Sequence, residues 1–523
     1  MTSEVEFGLP EAEVKFELPD PSLERYTWFL WDEHGPSSRP PLLLGEGPIP
    51  GNDPSPLPRS LVINGFTYMR AGAGFGPAMG GIFGGPVAPP RSVADLRRWR
   101  DEWLPEVAKA VAMLEGFDPA AVPPGRWEAT LAAHQGEFMR IFGGVHRNAL
   151  FAAHHAADRF RRAYVERFGR DREGEVEELL HGAPNASTER AGLLWDLSRV
   201  LRAEPALLDA FDRGAGLPET SAAREFRRGF EAMLAEYGAT SNADLQDLPT
   251  WREDPSIALA VIRAFARQTD DKGPRQAVRR QRERRLQIEA QLREQAQTDR
   301  SVAALLPLME MAQEFTPNLE DHNYHSDQRM GAASRARWLA IGRHLQARSL
   351  LDAPDDVFYL EREELIAALE GRAVPPKGAL AARRRLLAAA RQTLPPPFLG
   401  RPPSDLEADG LRPSSDRRVL RGYAASPGSY RGRARVIETL ADAGSLVEGD
   451  VLVCRTTSPP WTPFFGVIAA LVTNSGGALS HGAVVAREFG IPAVMGTLTA
   501  TLQIRDGATV TVDGTNGLVV IEA

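Results

Sequence analysis

Cysteine is almost absent. The 523 residues contain one, Cys454, so no internal disulfide can staple the chain, and a reducing, cytoplasmic setting is the default expectation. Lysine is nearly as scarce, with four residues (Lys15, Lys109, Lys272, Lys377) against 57 arginines. Chemistry that depends on lysine is therefore restricted to few positions. No apolar run approaches the ~18 residues that a membrane-spanning helix requires. The acidic opening MTSEVEFGLPEAEVKFELPD has no basic-then-apolar leader, so no secretory signal is expected. Net positive charge is also lacking: the formal charge is −8 and the pI about 5.8. That argues against a general nucleic-acid binder. What is present, 43% hydrophobic and 25% charged residues, is the balance of a globular protein of about three domains.

The texture of the chain changes three times. Residues 1–91 are dense in Pro and Gly and read as an irregular segment packing on the helical domain. Tyr26, Trp28 and Trp31 could line an apolar substrate pocket or form ordinary core. The stretch GAGFGPAMGGIFGGP (72–86) resembles a phosphate loop only superficially, because it has no Lys-Ser/Thr ending and no strand–helix frame. Residues 92–392 read as helices, with apolar residues at helical spacing in SVADLRRWRDEWLPEVAKAVAML, a bend near Gly143-Gly144, and a charged helix in PRQAVRRQRERRLQIEAQLREQAQ whose interleaved acids speak for a solvated face. VFYL (357–360) is strand-like. Residues 393–418, rich in Pro, Ser and Asp, form a linker. Residues 419–523 alternate short β-rich runs (DVLVCR, VIAALVTN, ATVTVDG, GLVVIEA) with one helix, SHGAVVAREFG. The expected fold class is multidomain: a large mostly α-helical domain followed by a small α/β swivelling domain.

LVTNSGGALSHGAVVAREFGIPAV (471–494) carries the clearest chemistry. A strand ends at Thr473, Gly476 and Gly477 permit a tight turn, and Ser480 is an N-cap candidate that places His481 in the first helical turn. Free N–H groups and the helix dipole at that end attract a phosphoryl group. A neutral imidazole, with a reference pKa of ~6.5, can attack phosphorus and hold the group covalently. Thr473 and Ser480 could bond the ring or the phosphate, and Arg455 and Thr457 could face the same pocket. Arg487 is expected to pair on the helix surface, Glu488 to be structural, Trp461 to pack, and Cys454 to be a buried inert thiol.

The string SHGAVVAREFGIP resembles the SHxAxxARExxIP pattern of the mobile phosphohistidine domain of phosphoenolpyruvate-utilising enzymes, and RGYAASPGSYRGRARVI, DVLVCRTTSPPWTPFF and VDGTNGLVVI resemble the rest of that domain. The resemblance covers residues 419–523 and implies that His481 is the phosphorylated histidine. EDHNYHSDQ (320–328), PDDVFYLEREEL, LLHGAPNAS (179–187) and LPTWREDPS resemble the helical substrate region of rifampicin phosphotransferase and of the histidine-bearing subunit of phenylphosphate synthase. This second resemblance implies an acceptor site near Glu320, Asp321 and Asp327. Within that dense run His322 or His325 could take a proton from an acceptor hydroxyl, Arg329 could hold the incoming phosphoryl group, and a polar network tying helices together is the competing reading. Metal binding there is not expected. His134 and His146 could line a pocket but are expected to pack, and His154 and His155 point different ways.

No stretch reads as an ATP-grasp domain or as the phosphoenolpyruvate-binding barrel that would follow the histidine. The resemblance then implies a two-component phosphotransferase. A separate ATP-grasp partner, using ATP and Mg²⁺, would load His481. This chain would hold no tightly bound cofactor, and the linker would let the histidine domain swing to a small-molecule acceptor. A phosphohistidine carrier or regulatory protein without its own small-molecule substrate is the alternative, and a helical binding protein with an inactive histidine domain a third.

Overall fold

The computed structural model describes residues 15–25, 27–31, 60–64, 66–70, 98–172, 174–241, 246–372, 377–391, 393, 395–396, 398–401, 418–477 and 480–522. The glycine-rich stretch 72–86, Tyr26 and most of the proposed linker lie outside them. The chain forms two compact units, each assembled from separated segments: Met1–Ile82, Asp118–Gln135 and Trp338–Pro403 in the first, Phe83–Phe117, Gly136–Arg337 and Ser404–Ala523 in the second.

In the first unit, strands β1 (Thr27–Trp31), β2 (Ser60–Ile63), β3 (Phe66–Arg70) and β4 (Phe398–Gly400) form an antiparallel sheet in the order β2-β3-β1-β4. Three strands thus fall in the stretch expected to be irregular. Each is four or five residues long, too short for an alternation to stand out among the surrounding prolines. Trp28 is fully enclosed beside Leu23, Ile63, Phe66 and Tyr68, and its indole N–H donates to the Leu23 carbonyl at 3.0 Å. Trp31 closes β1. VFYL is not a strand: residues Pro354–Tyr359 make a 3₁₀ turn, started by Pro354 and by the Asp356 carboxylate accepting from the Ala353 N–H at 2.9 Å.

The second unit joins a helical part to a small α/β part. Strands β5 (Val419–Arg421), β6 (Tyr423–Ser426), β7 (Ser429–Val436), β8 (Val451–Cys454), β9 (Ala470–Thr473), β10 (Ala493–Met495), β11 (Thr509–Asp513) and β12 (Leu518–Ile521) form one mixed sheet in the order β5-β12-β11-β7-β8-β9-β10-β6. Strands β7 to β10 pair in parallel at its centre. The central β8 and β9 are buried along their whole length, as parallel strands covered on both faces must be. Side-chain alternation sends Val451, Val453 and Val472 into one core and Leu452, Cys454 and Leu471 into another, the period-two rule at work on both faces. The second core is shared with helices Ala186–Ala203 and Ser256–Ala266 through Trp195, Val261 and Phe265, which meet Trp461, Phe464 and Phe465. No helix among the described residues is long and apolar enough to cross a membrane.

Candidate active site

β9 ends at Thr473 and leads through a tight loop into the helix His481–Phe489. Gly476 sits at φ +103°, and a Cβ there would lie 2.8 Å from Met495 Cε, so only glycine makes this turn comfortably. Gly477 meets no such constraint; its nearest neighbour is 3.9 Å away. Ser480 occupies the N-cap position, but its hydroxyl donates to the Gly477 carbonyl at 2.7 Å rather than capping the helix. Thr473 is fully buried and its hydroxyl donates to the Ser475 carbonyl at 2.6 Å. Both hydroxyls therefore brace the loop. Arg455 contributes its carbonyl, which accepts from the Ser475 N–H at 2.9 Å.

The imidazole of His481 is held at both nitrogens. Nδ1 lies 2.9 Å from Glu320 Oε1 and Nε2 lies 3.1 Å from the hydroxyl of Thr462. A carboxylate oxygen only accepts, so the proton is assigned to Nδ1, and the Nε2 lone pair accepts from Thr462. Glu320 is in turn fixed by Ser187, whose hydroxyl donates to Oε2 at 2.6 Å, and both are buried. The neighbouring Asp321 accepts from the Ala186 N–H at 2.8 Å; burial raises its pKa to about 6. Ala186 and Ser187 are placed by a reciprocal cap in which Asn185 Oδ1 accepts from the Thr188 N–H and the Thr188 hydroxyl accepts from the Asn185 N–H, each at 3.0 Å. The motifs LLHGAPNAS and EDHNYHSDQ, 133 residues apart at Ser187 and Glu320, thus meet behind the histidine.

The rest of the helix is also locked down. Arg487 is not a surface residue. It pairs with Glu177 at 3.0 Å and donates to the Ala425 carbonyl at 2.7 Å. Burial pushes the Glu177 carboxyl up, but Arg487, His181 and Arg161 more than offset this and hold it at about 2. Glu488 accepts from the Gly182 N–H at 3.1 Å, and burial raises its pKa. Trp461 packs edge-on near Phe464. Cys454 is buried, which pushes its thiol up. Gly482 abuts Thr457 Oγ1 and Met495: a Cβ would overlap the former and come within 2.9 Å of the latter.

The EDHNYHSDQR run is divided in two. Asn318–His322 is α-helical and Asn323–Gln328 is a π-helical turn. His322 is buried and burial lowers its pKa to about 4. Its Nδ1 is 2.5 Å from the Asn318 carbonyl and its Nε2 is 3.9 Å from Asp327 Oδ2. His325 is half-buried against Tyr324, and burial, then the charge of Arg329, lowers its pKa. Asp327 bonds His146 Nδ1 at 2.7 Å, so His146, expected to pack or to line a pocket, belongs to this cluster. Thr462 is the site residue that sequence reading misses. In PPWTPFF the tryptophan and prolines dominate the pattern, and nothing local marks the threonine.

Comparison with known proteins agrees with this layout. Residues 446–517 match the family described as PEP-utilising enzyme, mobile domain, and residues 146–318 match the rifampicin phosphotransferase fourth domain. The chain therefore carries a PEP-utiliser mobile domain behind a helical domain of rifampicin-phosphotransferase type. Among curated relatives, it is 37% identical over 380 residues to chondramide synthase cmdD of Chondromyces crocatus, covering 66% of this chain and 10% of that protein. It is 28% identical over 399 residues to the uncharacterized phosphotransferase YvkC of Bacillus subtilis (72% and 47%) and 33% identical over 369 residues to a rifampicin phosphotransferase of a Streptomyces species (66% and 41%). The chain spans less than half the length of each.

Proposed function

We propose that this chain is the phosphohistidine-bearing component of a phosphotransferase. His481 takes a phosphoryl group from a separate ATP-grasp protein and passes it to a small organic acceptor bound by the helical part of the second unit. The observation that carries the reading is the Glu320–His481–Thr462 arrangement. Glu320 keeps the proton on Nδ1, so Nε2 is the nucleophile and its lone pair attacks phosphorus while the bond to the donor oxygen breaks. Glu320 then stabilises the charge that develops on the ring, and the Thr462 hydroxyl turns from the lone pair to a phosphoryl oxygen. In the second half the acceptor oxygen attacks, the N–P bond breaks, and its electron pair returns to Nε2.

The acceptor proton goes to His325, which burial keeps neutral and whose neighbour Arg329, without an ion pair among the described residues, suits the phosphoryl group. His322 is less suited, because its Nδ1 is committed to the Asn318 carbonyl and its Nε2 faces Asp327. ATP and Mg²⁺ act on the partner, which releases AMP and phosphate. An acceptor with a hydroxyl or carboxylate group fits this chemistry.

The test is incubation with a candidate ATP-grasp protein and β-³²P-ATP. Acid-labile label on the wild type, absent from His481→Ala and chased into a small molecule, supports the proposal. Label equal in both proteins overturns it, and label that leaves for no acceptor points to a phosphocarrier.

A further inference from the structure

A second polar cluster lies a few residues from Glu320 and outside the Glu320–His481–Thr462 arrangement. Two π-helical segments, Ile141–His146 and Asn323–Gln328, pack against each other. A π-turn inserts a residue into a helix and is frequent at functional sites; two of them in contact re-aim the side chains that they carry. His146 Nδ1 comes to 2.7 Å from Asp327 Oδ2, and His322 Nε2 to 3.9 Å from the same oxygen. The two imidazoles stand edge to face with centroids 4.7 Å apart. One ligating atom from each of the three residues lies within 4.8 Å of the other two.

The charges at this spot are incompletely matched. His322 Nδ1 donates to the Asn318 carbonyl at 2.5 Å, which leaves the Nε2 lone pair of a neutral ring directed at a carboxylate. Two acceptors then face each other in buried surroundings. The other carboxylate oxygen, Asp327 Oδ1, is buried and has no hydrogen-bond partner. Buried acceptors without partners are rare, and each calls for a compensating group.

We propose that His146, His322 and Asp327 bind one first-row divalent cation of the zinc or iron class. Two imidazoles and one carboxylate suit these borderline ions, whereas magnesium and calcium favour oxygen donors. A cation at the centre takes the place of the His146 Nδ1 proton and faces both lone pairs. The Asn318 carbonyl, bonded to the far nitrogen of His322, supplies the outer-shell support that orients ligating histidines. Asp327 also lines a narrow cleft, with room for about one water molecule, together with Ser241, Gln246, Thr250 and Gln328. That cleft offers polar neighbours for one water molecule in the ion's coordination. The site stands on these residues alone and does not depend on the phosphohistidine reading.

The experiment uses the full chain, purified without metal-affinity resin, stripped with chelator and titrated with Co²⁺ alone. The expected result is one Co²⁺ per chain with visible d–d absorption, displaced by Zn²⁺ and not by Mg²⁺. Asp327→Asn and His146→Gln each weaken binding by at least about 100-fold, beyond the 10–100-fold typical of outer-shell changes. Melting without metal shows that the variants fold, and if one does not, the other decides. Absence of stoichiometric binding, affinity unchanged in a folded variant, or displacement by Mg²⁺ as readily as by Zn²⁺ overturns the proposal.

Discussion

Glu320→Gln tests the core of the mechanism without any partner protein. The carboxylate accepts from His481 Nδ1 at 2.9 Å and from Ser187 at 2.6 Å, and it is 2% exposed. Glutamine keeps the shape and removes the charge. With its amide nitrogen toward the ring it donates to Nδ1, and the imidazole proton moves to Nε2, where it blocks the nucleophile. With its oxygen toward the ring it preserves the tautomer but no longer balances the charge that develops on attack. A hydrogen bond to a charged group contributes ~1.5–3 kcal/mol. At 1.36 kcal/mol per tenfold, the variant should be phosphorylated about 10- to 150-fold more slowly.

Phosphoramidate, a small phosphoryl donor, provides the assay. Phosphohistidine is followed by ³¹P NMR, and the ring position is read from its two distinguishable isomers. Wild type should be labelled at Nε2 of His481. The variant should react slowly and lose that positional preference, with its melting temperature showing that it folds. A rate within twofold of wild type, or labelling of wild type mainly at Nδ1, would refute the assignment of Glu320 as the group that sets the tautomer.

Two further outcomes rest on neighbours of the same site. Gly482→Ala forces a methyl against Thr457 Oγ1 and Met495 Cε, so a loss of about 1–3 kcal/mol, the usual cost of overpacking, should appear as a lower denaturation midpoint; unchanged stability would mean that the helix shifts freely. The pH dependence of stability has a defined sign at His154. Burial, then the charges of His322, Arg487, Arg161 and His155, lower its pKa to about 4. The unfolded ring titrates near ~6.5, so its contribution is complete above that pH and is lost as pH falls toward 4. The loss is on the order of 2–3 kcal/mol. Urea midpoints measured from pH 8 to pH 4 should fall less steeply in His154→Gln, and parallel curves would exclude this residue as the source.

Sequence alone determined those features that rest on short-range periodicity and on a contiguous motif. The helix His481–Phe489 starts where Ser480 precedes the apolar pattern. The β-rich runs around Val451–Cys454 and Thr509–Asp513 are strands. The bend expected near Gly143-Gly144 is a π-turn over Ile141–His146. Each of these is decided by neighbours within a few residues. The strand at Thr27–Trp31 is not legible in the sequence because its partners, Phe66–Arg70 and Phe398–Gly400, are distant in the chain, and a β ladder is stabilised by the partner rather than by the strand itself.

Tertiary structure decided which groups meet. Glu320 reaches His481 across 161 residues, Thr462 across 19, and His146 reaches Asp327 across 181. Arg487 turned inward because the half-buried Glu177 waits there, a fact that helical spacing within its own segment does not contain. A side chain's character is carried by its sequence position, but its proton, its charge state and its partner depend on distance and on exclusion of water, and only the folded chain sets those.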